Sequence, residues 1–203
     1  MIQIVAGIPE HFKYHDVDEL PRKGVEEGDY DPIVTSNLKL SQVLSDNAKR
    51  FALASELNSI DTMYILMKLD FVPVLAVYYH LGNRMPALPP AMLTGVLVAV
   101  AVVLVAVLYL FEDFYERNRI MTGDRKAAEL GKDYLEGGIE YFEKQMQMNK
   151  ALRELDKESG AKLYDEYGEI VKGFSDFGIP ALQSRLDLLK RIKLQLYSDI
   201  IHD

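Results

Sequence analysis

The sequence predicts a mainly α-helical membrane protein: a two-helix transmembrane hairpin with a helical soluble body and a short β-prone, extended N-terminal segment. Three observations predict it. Ala91 to Phe111, AMLTGVLVAVAVVLVAVLYLF, runs twenty-one residues without a charge. Ile60 to Leu81 is a second, weaker apolar run. Outside both, apolar residues recur at helical spacing among dense charge. The resulting boundaries are an extended or loop segment over 1–39, an amphipathic helix over 40–60, the hairpin over 61–111 and the soluble body over 112–203.

At about 1.5 Å per residue, the uncharged run makes a helix of roughly 31 Å, close to the hydrocarbon thickness of a bilayer. A chain of 203 residues has little room to enclose a helix that is apolar on every face. A membrane span is therefore expected. The weaker run contains Asp61, Lys68, Asp70, Pro73 and His80. A charge at mid-bilayer costs roughly 2.5–3.5 kcal/mol on insertion scales, so Lys68 and Asp70 are expected near an interface or against a partner helix. Between the runs, Gly82, Asn83, Pro86, Pro89 and Pro90 form a tight connection. That loop carries only Arg84, whereas Lys49, Arg50, Arg117, Arg119, Arg125, Lys126 and Lys132 lie on the outer flanks. The bias places both termini on the positive side, the cytosol or the mitochondrial matrix.

Charge and composition exclude several functions. The net charge of −8 provides no field for phosphate backbones, so nucleic acid is not an expected partner, whereas membrane lipid is. With no cysteine, there are no disulfides, thiolate metal sites or thiol catalysis. The first twenty residues are acidic and poor in Arg and Ser, unlike a secretory signal or an ordinary mitochondrial presequence. No phosphate loop, dinucleotide fingerprint or nucleophile elbow occurs, and no cofactor is expected. His11 and His15 share a helical spacing, but Phe12 stands where a zinc peptidase needs its Glu, and a solvated surface pair is expected.

In chain order, Ile2 to Ile8 reads as a strand or extended segment, and His11 to Pro32 as loop broken by Pro21, Gly24, Gly28 and Pro32. A helix is expected from Ser41 as N-cap, with Val43, Leu44, Ala48, Phe51, Leu53, Ala54 and Leu57 on its apolar stripe. After Phe111 the helix continues through Phe114, Tyr115, Ile120, Ala127, Ala128 and Leu130 until Gly137 and Gly138 break it. A second amphipathic helix then carries Ile139, Phe142, Met146, Leu152 and Leu155. Asn149 interrupts that stripe, either as a core-edge Asn bonded to nearby backbone or as a partner-facing donor. Tyr164 to Gly178 reads as loop, and a last helix starts at Pro180 with Leu182, Leu186, Leu189 and Leu196 on its packed face. Its basic end is a candidate for anionic lipid.

Three blocks carry a resemblance: VAGIPEHF at Val5 to Phe12, LSDNAKRFALASEL at Leu44 to Leu57, and GGIEYFEKQMQMNKALREL with GAKLYDEYGEIV between Gly137 and Val171. With these the chain resembles the transmembrane protein 177 family of the mitochondrial inner membrane. Asp165, Glu166 and Tyr167 stand where the family leads to a Thr-Pro-type turn, and the family's longer N-terminal region has no counterpart, which implies a truncated or divergent member. The resemblance implies a non-enzymatic assembly or stabilising factor for newly made cytochrome c oxidase subunit 2, acting with that subunit's membrane chaperone. It singles out Gly137, Gly138, Glu140, Tyr141, Glu143, Lys144, Asn149, Leu152, Arg153, Leu163, Tyr164 and Gly168 as core or partner-binding positions.

A fainter resemblance comes from element order. An amphipathic helix, a membrane hairpin, a charged helix and a final Pro-x-x-x-x-Arg-Leu-x-x-Leu helix, Pro180 to Leu189, are similar to the HtpX-type membrane zinc peptidases. The matching stretches are Ser55, Glu56, Leu57, Asn58, Ser59 and then Ile120 to Asp124. This resemblance implies that Glu56 and Asp124 persist while Ser, Ser and Ile replace the three zinc ligands, leaving a binding scaffold without metal. The competing classes are an active membrane metallopeptidase using His11, His15 or His80, and a structural subunit of a membrane complex.

Overall fold

The structure, a computed structural model, describes residues 9–20, 31–60, 76, 79–80, 89–156, 158–171, 173 and 178–202. The expected strand at Ile2 to Ile8 and most of the weaker span, 61–81, lie outside the described residues. Two 3-10 turns, Glu10–Lys13 and Val17–Glu19, are followed by the helices whose bounds lie within the described residues: α1 Pro32–Gln42, α2 Asp46–Ser59, α3 Pro90–Ala128, α4 Lys132–Leu155, the short α5 Gly160–Leu163 and α6 Leu182–His202. The described residues contain no strand, only an antiparallel bridge between Tyr164 and Ile170.

Helix α3 organises the rest. Its 39 residues make a rod of about 58 Å, beginning after Pro89 with Pro90 in the first turn, where a missing N–H costs nothing. The apolar window has a mean hydropathy of 2.9, and only 6% of it is buried. Val98, Val102, Val103, Val105, Val107, Leu110 and Phe111 face outward, which a soluble core helix does not do. Past Phe111 the same helix enters the body, where Ala127 and Ala128 are buried.

The body packs α2 and α6 against the last turns of α3, and α4 across α2, α6 and α1. One core joins Phe51, Ala127, Ala128, Leu135, Phe142, Leu186 and Leu189, with the Phe51 and Phe142 rings edge to face at 5.8 Å. A smaller one holds Phe12, Leu44, Ala48 and Ala52 under Tyr141. The ammonium of Lys49 reaches the Tyr14 carbonyl at 2.9 Å, tying the N-terminal turns to α2.

Several expectations change. Helix α1 occupies part of the expected loop: Pro32 is its first residue rather than a breaker, and the Asp31 carboxylate accepts from the Ile33 amide. Ser41 is not an N-cap; it lies inside α1 with its hydroxyl donating to the Leu38 carbonyl. The cap is Ser45, which accepts from the Ala48 amide, so the expected helix over 40–60 is two helices separated at Val43–Ser45. Leu53 and Leu57 lie on the outer face of α2, not on the packed stripe. The break after α3 falls at Gly131, whose φ of +150° suits a residue without a Cβ. Gly137 and Gly138 sit inside α4. Leu196 is half exposed, and Ile192 takes its place against the core.

Candidate functional site

The described polar centre of the body lies where α2, α3 and α6 meet. Asp124 belongs to the face of α3 that carries Ile120, Ala127 and Ala128, and is 0% exposed. Its carboxylate accepts two bonds from Arg185, Nε at 2.7 Å and Nη2 at 2.8 Å, and one from the Ser55 hydroxyl at 2.6 Å. The guanidinium also lies 4.5 Å from the centre of the Phe142 ring. Burial works to lower the Arg185 pKa, but the bonds and charge of Asp124 overcome it, leaving the group raised and fully charged. Burial likewise pushes the nearby Tyr141 phenol up, with Arg185 opposing. The Asp124 and Arg185 charges meet as a bidentate pair, so the arrangement locks α6 onto α3.

The positions aligned with the peptidases partly converge. Ser55 meets Asp124, and Gly123 lies so close to Ser55 and Ser59 that a Cβ there would fall 2.8 Å from the Ser55 carbonyl. Glu56 is exposed. The Arg185 cation sits on the carboxylate that a metal site would share. His15 lies 3.8 Å from Asp46, with the Lys49 ammonium 3.5 Å from the same ring nitrogen. Among the described residues, no three His, Asp or Glu side chains converge as a metal site would need.

The block from Gly137 to Gly168 is knitted into the body. Gly137 and Gly138 let α4 cross α2 at backbone distance: a Cβ on the first would lie 2.7 Å from the Ala48 nitrogen, and one on the second 2.7 Å from the Phe51 ring and Leu189. One turn on, Glu140 accepts from the Ser45 amide and hydroxyl while Lys144 pairs with Glu140 at 3.0 Å and donates to the Val43 carbonyl. Together they hold the break between α1 and α2. Burial works to raise the Glu140 pKa, but the Ser45 and Lys144 bonds prevail and hold it below the usual carboxylate value. Tyr141 stacks edge-on to Phe142 at 5.3 Å, and Glu143 pairs with Lys190 of α6 at 2.8 Å.

Asn149 resolves as the backbone-bonded case: it is buried and its amide donates to the Gly168 carbonyl at 2.8 Å. Gly168, at φ +82°, packs on the Met146 carbonyl. Arg153 donates to the Tyr164 carbonyl at 2.5 Å, the Leu152 carbonyl accepts from Asp156, and the Leu163 carbonyl accepts from Val171. Glu169 then takes the first amides of α6 through Leu182 and Gln183, a cap absent from the sequence reading. The twelve positions thus divide between the α4 crossing and the 163–171 hairpin.

A cleft of about 450 Å³ opens at the other end of the body, walled by Ala128, Leu135, Ile192, Leu196 and Tyr197 with Lys132 and Lys193 at its rim. Ala128 is seventeen residues beyond Phe111, about 25 Å along α3. The basic stretch of α6 is at this distal end, with Lys190 and Lys193 paired to Glu143 and Glu136, which removes it from the lipid adjoining the span.

These features define a membrane protein: a helical body built directly onto one apolar helix long enough to cross a bilayer. The chain is related to the transmembrane protein 177 family. It is 30% identical to transmembrane protein 177 of Mus musculus over 178 residues, covering 82% of this chain and 57% of the mouse protein. The human protein is 29% identical with the same coverages, and that of Xenopus laevis 27% identical over 95% of this chain and 66% of its own length. The chain therefore spans less than two thirds of these relatives. No family model matches the chain. No solved structure matches it.

Proposed function

We propose that the chain is a non-enzymatic assembly or stabilising factor of the mitochondrial inner membrane, acting on newly made cytochrome c oxidase subunit 2 together with that subunit's membrane chaperone. The observation that supports this reading best is the unbroken α3, which places a folded body directly beside the bilayer, where a membrane client emerges. The distal cleft offers such a client or chaperone an apolar surface. Topology supports a multi-pass arrangement. Ile60 follows Ser59, whose carbonyl accepts from Arg119 at 2.7 Å on the body side. Pro90, at the far end of the span, is twenty-nine residues earlier in α3, about 44 Å away. Two crossings, one between Ile60 and Pro90 and one along α3, would leave both termini on the body side, and the flanking Lys and Arg support the matrix as that side.

Affinity purification of the tagged protein from mitochondria in mild detergent tests this reading, with co-purifying proteins and bound metal quantified together. Enrichment of newly made subunit 2 and its chaperone is expected; absence of any oxidase partner overturns the proposal. A second reading, a peptidase scaffold without its metal, is favoured by the meeting of Ser55 with Asp124. Zinc at one per chain would refute that version.

A further inference from the structure

Three elements bring apolar side chains to the membrane-side end of the body, within about 12 Å of the end of the charge-free run. The charge-free run ends at Phe111, and Glu116 and Arg119 follow about 7.5 and 12 Å further along α3. The interfacial layer of a bilayer extends roughly 5–7 Å beyond the hydrocarbon on each side, and apolar side chains seat themselves about 5–10 Å into such a boundary. At Glu116, Gly178 comes so close that a Cβ would lie 3.0 Å from the carboxylate, which sets Ile179 beside it. At Arg119, the bond to the Ser59 carbonyl sets Ile60 beside it. Phe114 is 69% exposed, Ile179 43% and Ile60 42%. Phe114 also continues the outward stripe Val103, Val107 and Leu110 by one helical turn, before Asn118 ends it. The exposed rim is continuous with the lipid-facing surface of the span.

We propose that this rim, Phe114 of α3 with Ile60 and Ile179, is seated in the headgroup layer of the bilayer and holds the body upright against the membrane. Its partner is lipid, with Arg117, exposed next to Glu116, available to headgroup phosphate. The proposal rests on α3 as a membrane helix and not on the oxidase reading, so the two fail separately.

The absence of cysteine makes the test direct. The full chain carrying Ile60→Cys or Ile179→Cys, with Leu130→Cys and Leu194→Cys as distal references, is labelled with NBD and reconstituted into phosphatidylcholine–phosphatidylglycerol vesicles. Quenching by shallow nitroxide lipids is expected to be several-fold stronger at 60 and 179 than at 130 and 194, and quenching by aqueous iodide to follow the reverse order. Iodide quenching equal at all four sites overturns the proposal. So does protection of 60 and 179 from both quenchers, the signature of a protein surface, either a second copy or a client.

Discussion

At the scale of single residues, Asp124 carries the heaviest constraint. Its charge has no solvent and is satisfied by Arg185 and Ser55 alone. Replacing one partner strands the other: Arg185→Met is expected to cost about 3–5 kcal/mol, and Asp124→Asn with Arg185→Met to recover a large part of it. Thermal melts of the full chain in mild detergent, followed by circular dichroism, check this; a double variant as unstable as the single one would refute the lock. Glu140 gives a pH signature with a definite sign. Its folded-state pKa is depressed below 4.5, so its contribution is complete above about pH 4.5 and is lost as pH falls through the folded value. Glu140→Gln removes that dependence. The wild-type melting temperature is therefore expected to fall more steeply than that of the variant on acidification below about pH 4.5, with equal slopes near neutrality counting for the assignment.

At the scale of elements, the same residue type does opposite things according to what faces it. Gly137→Ala should favour α4 by about 1 kcal/mol of helix propensity, but the new methyl meets the Asn47–Ala48 backbone, which cannot yield. Overpacking of that kind costs about 1–3 kcal/mol or more, so net destabilisation is expected. Gly95→Ala in the span meets nothing within 4 Å and is expected to be neutral or slightly stabilising in the same melts. A sequence shows two adjacent glycines and helix rules then favour a break; the distinction lies in α2, some ninety residues earlier. The cap at Ser45 was hidden in the same way. Ser41 and Ser45 both satisfy the N-cap pattern, and the choice between them is made by Glu140 and Lys144 from α4. By contrast, the span and the long run through Ala128 were legible, because twenty-one uncharged residues and a continuous stripe are local facts. Asp124 and Arg185 each stood as a charge on an apolar stripe, a signal of burial, but sixty-one residues separate the partners and periodicity does not pair them.

At the scale of the whole molecule, the span and the body share the continuous helix α3, but the described residues of the span contribute to neither buried cluster of the body. The larger cluster is built from α2, the last turns of α3, α4 and α6, and the smaller from Phe12, Leu44 and α2 under Tyr141 of α4. The Arg119 guanidinium donates to the Ser59 carbonyl, so Ile60, at the C-terminal end of α2, lies close to α3 where that helix enters the body. With Ile60 beside Arg119 and Glu112 seven residues earlier in α3, the gap is on the order of 15 Å, and a flexible link of n residues spans about 5–6 Å × √n, so roughly eight Gly and Ser residues bridge it. Replacing 61–111 with such a linker is therefore expected to yield a helical body that melts cooperatively and remains sensitive to Arg185→Met. Its rim of Phe114, Ile60 and Ile179 would then be exposed to water, so binding to lipid vesicles should persist at reduced strength. A body that melts without cooperativity would mean that the membrane segment is part of the fold rather than its anchor.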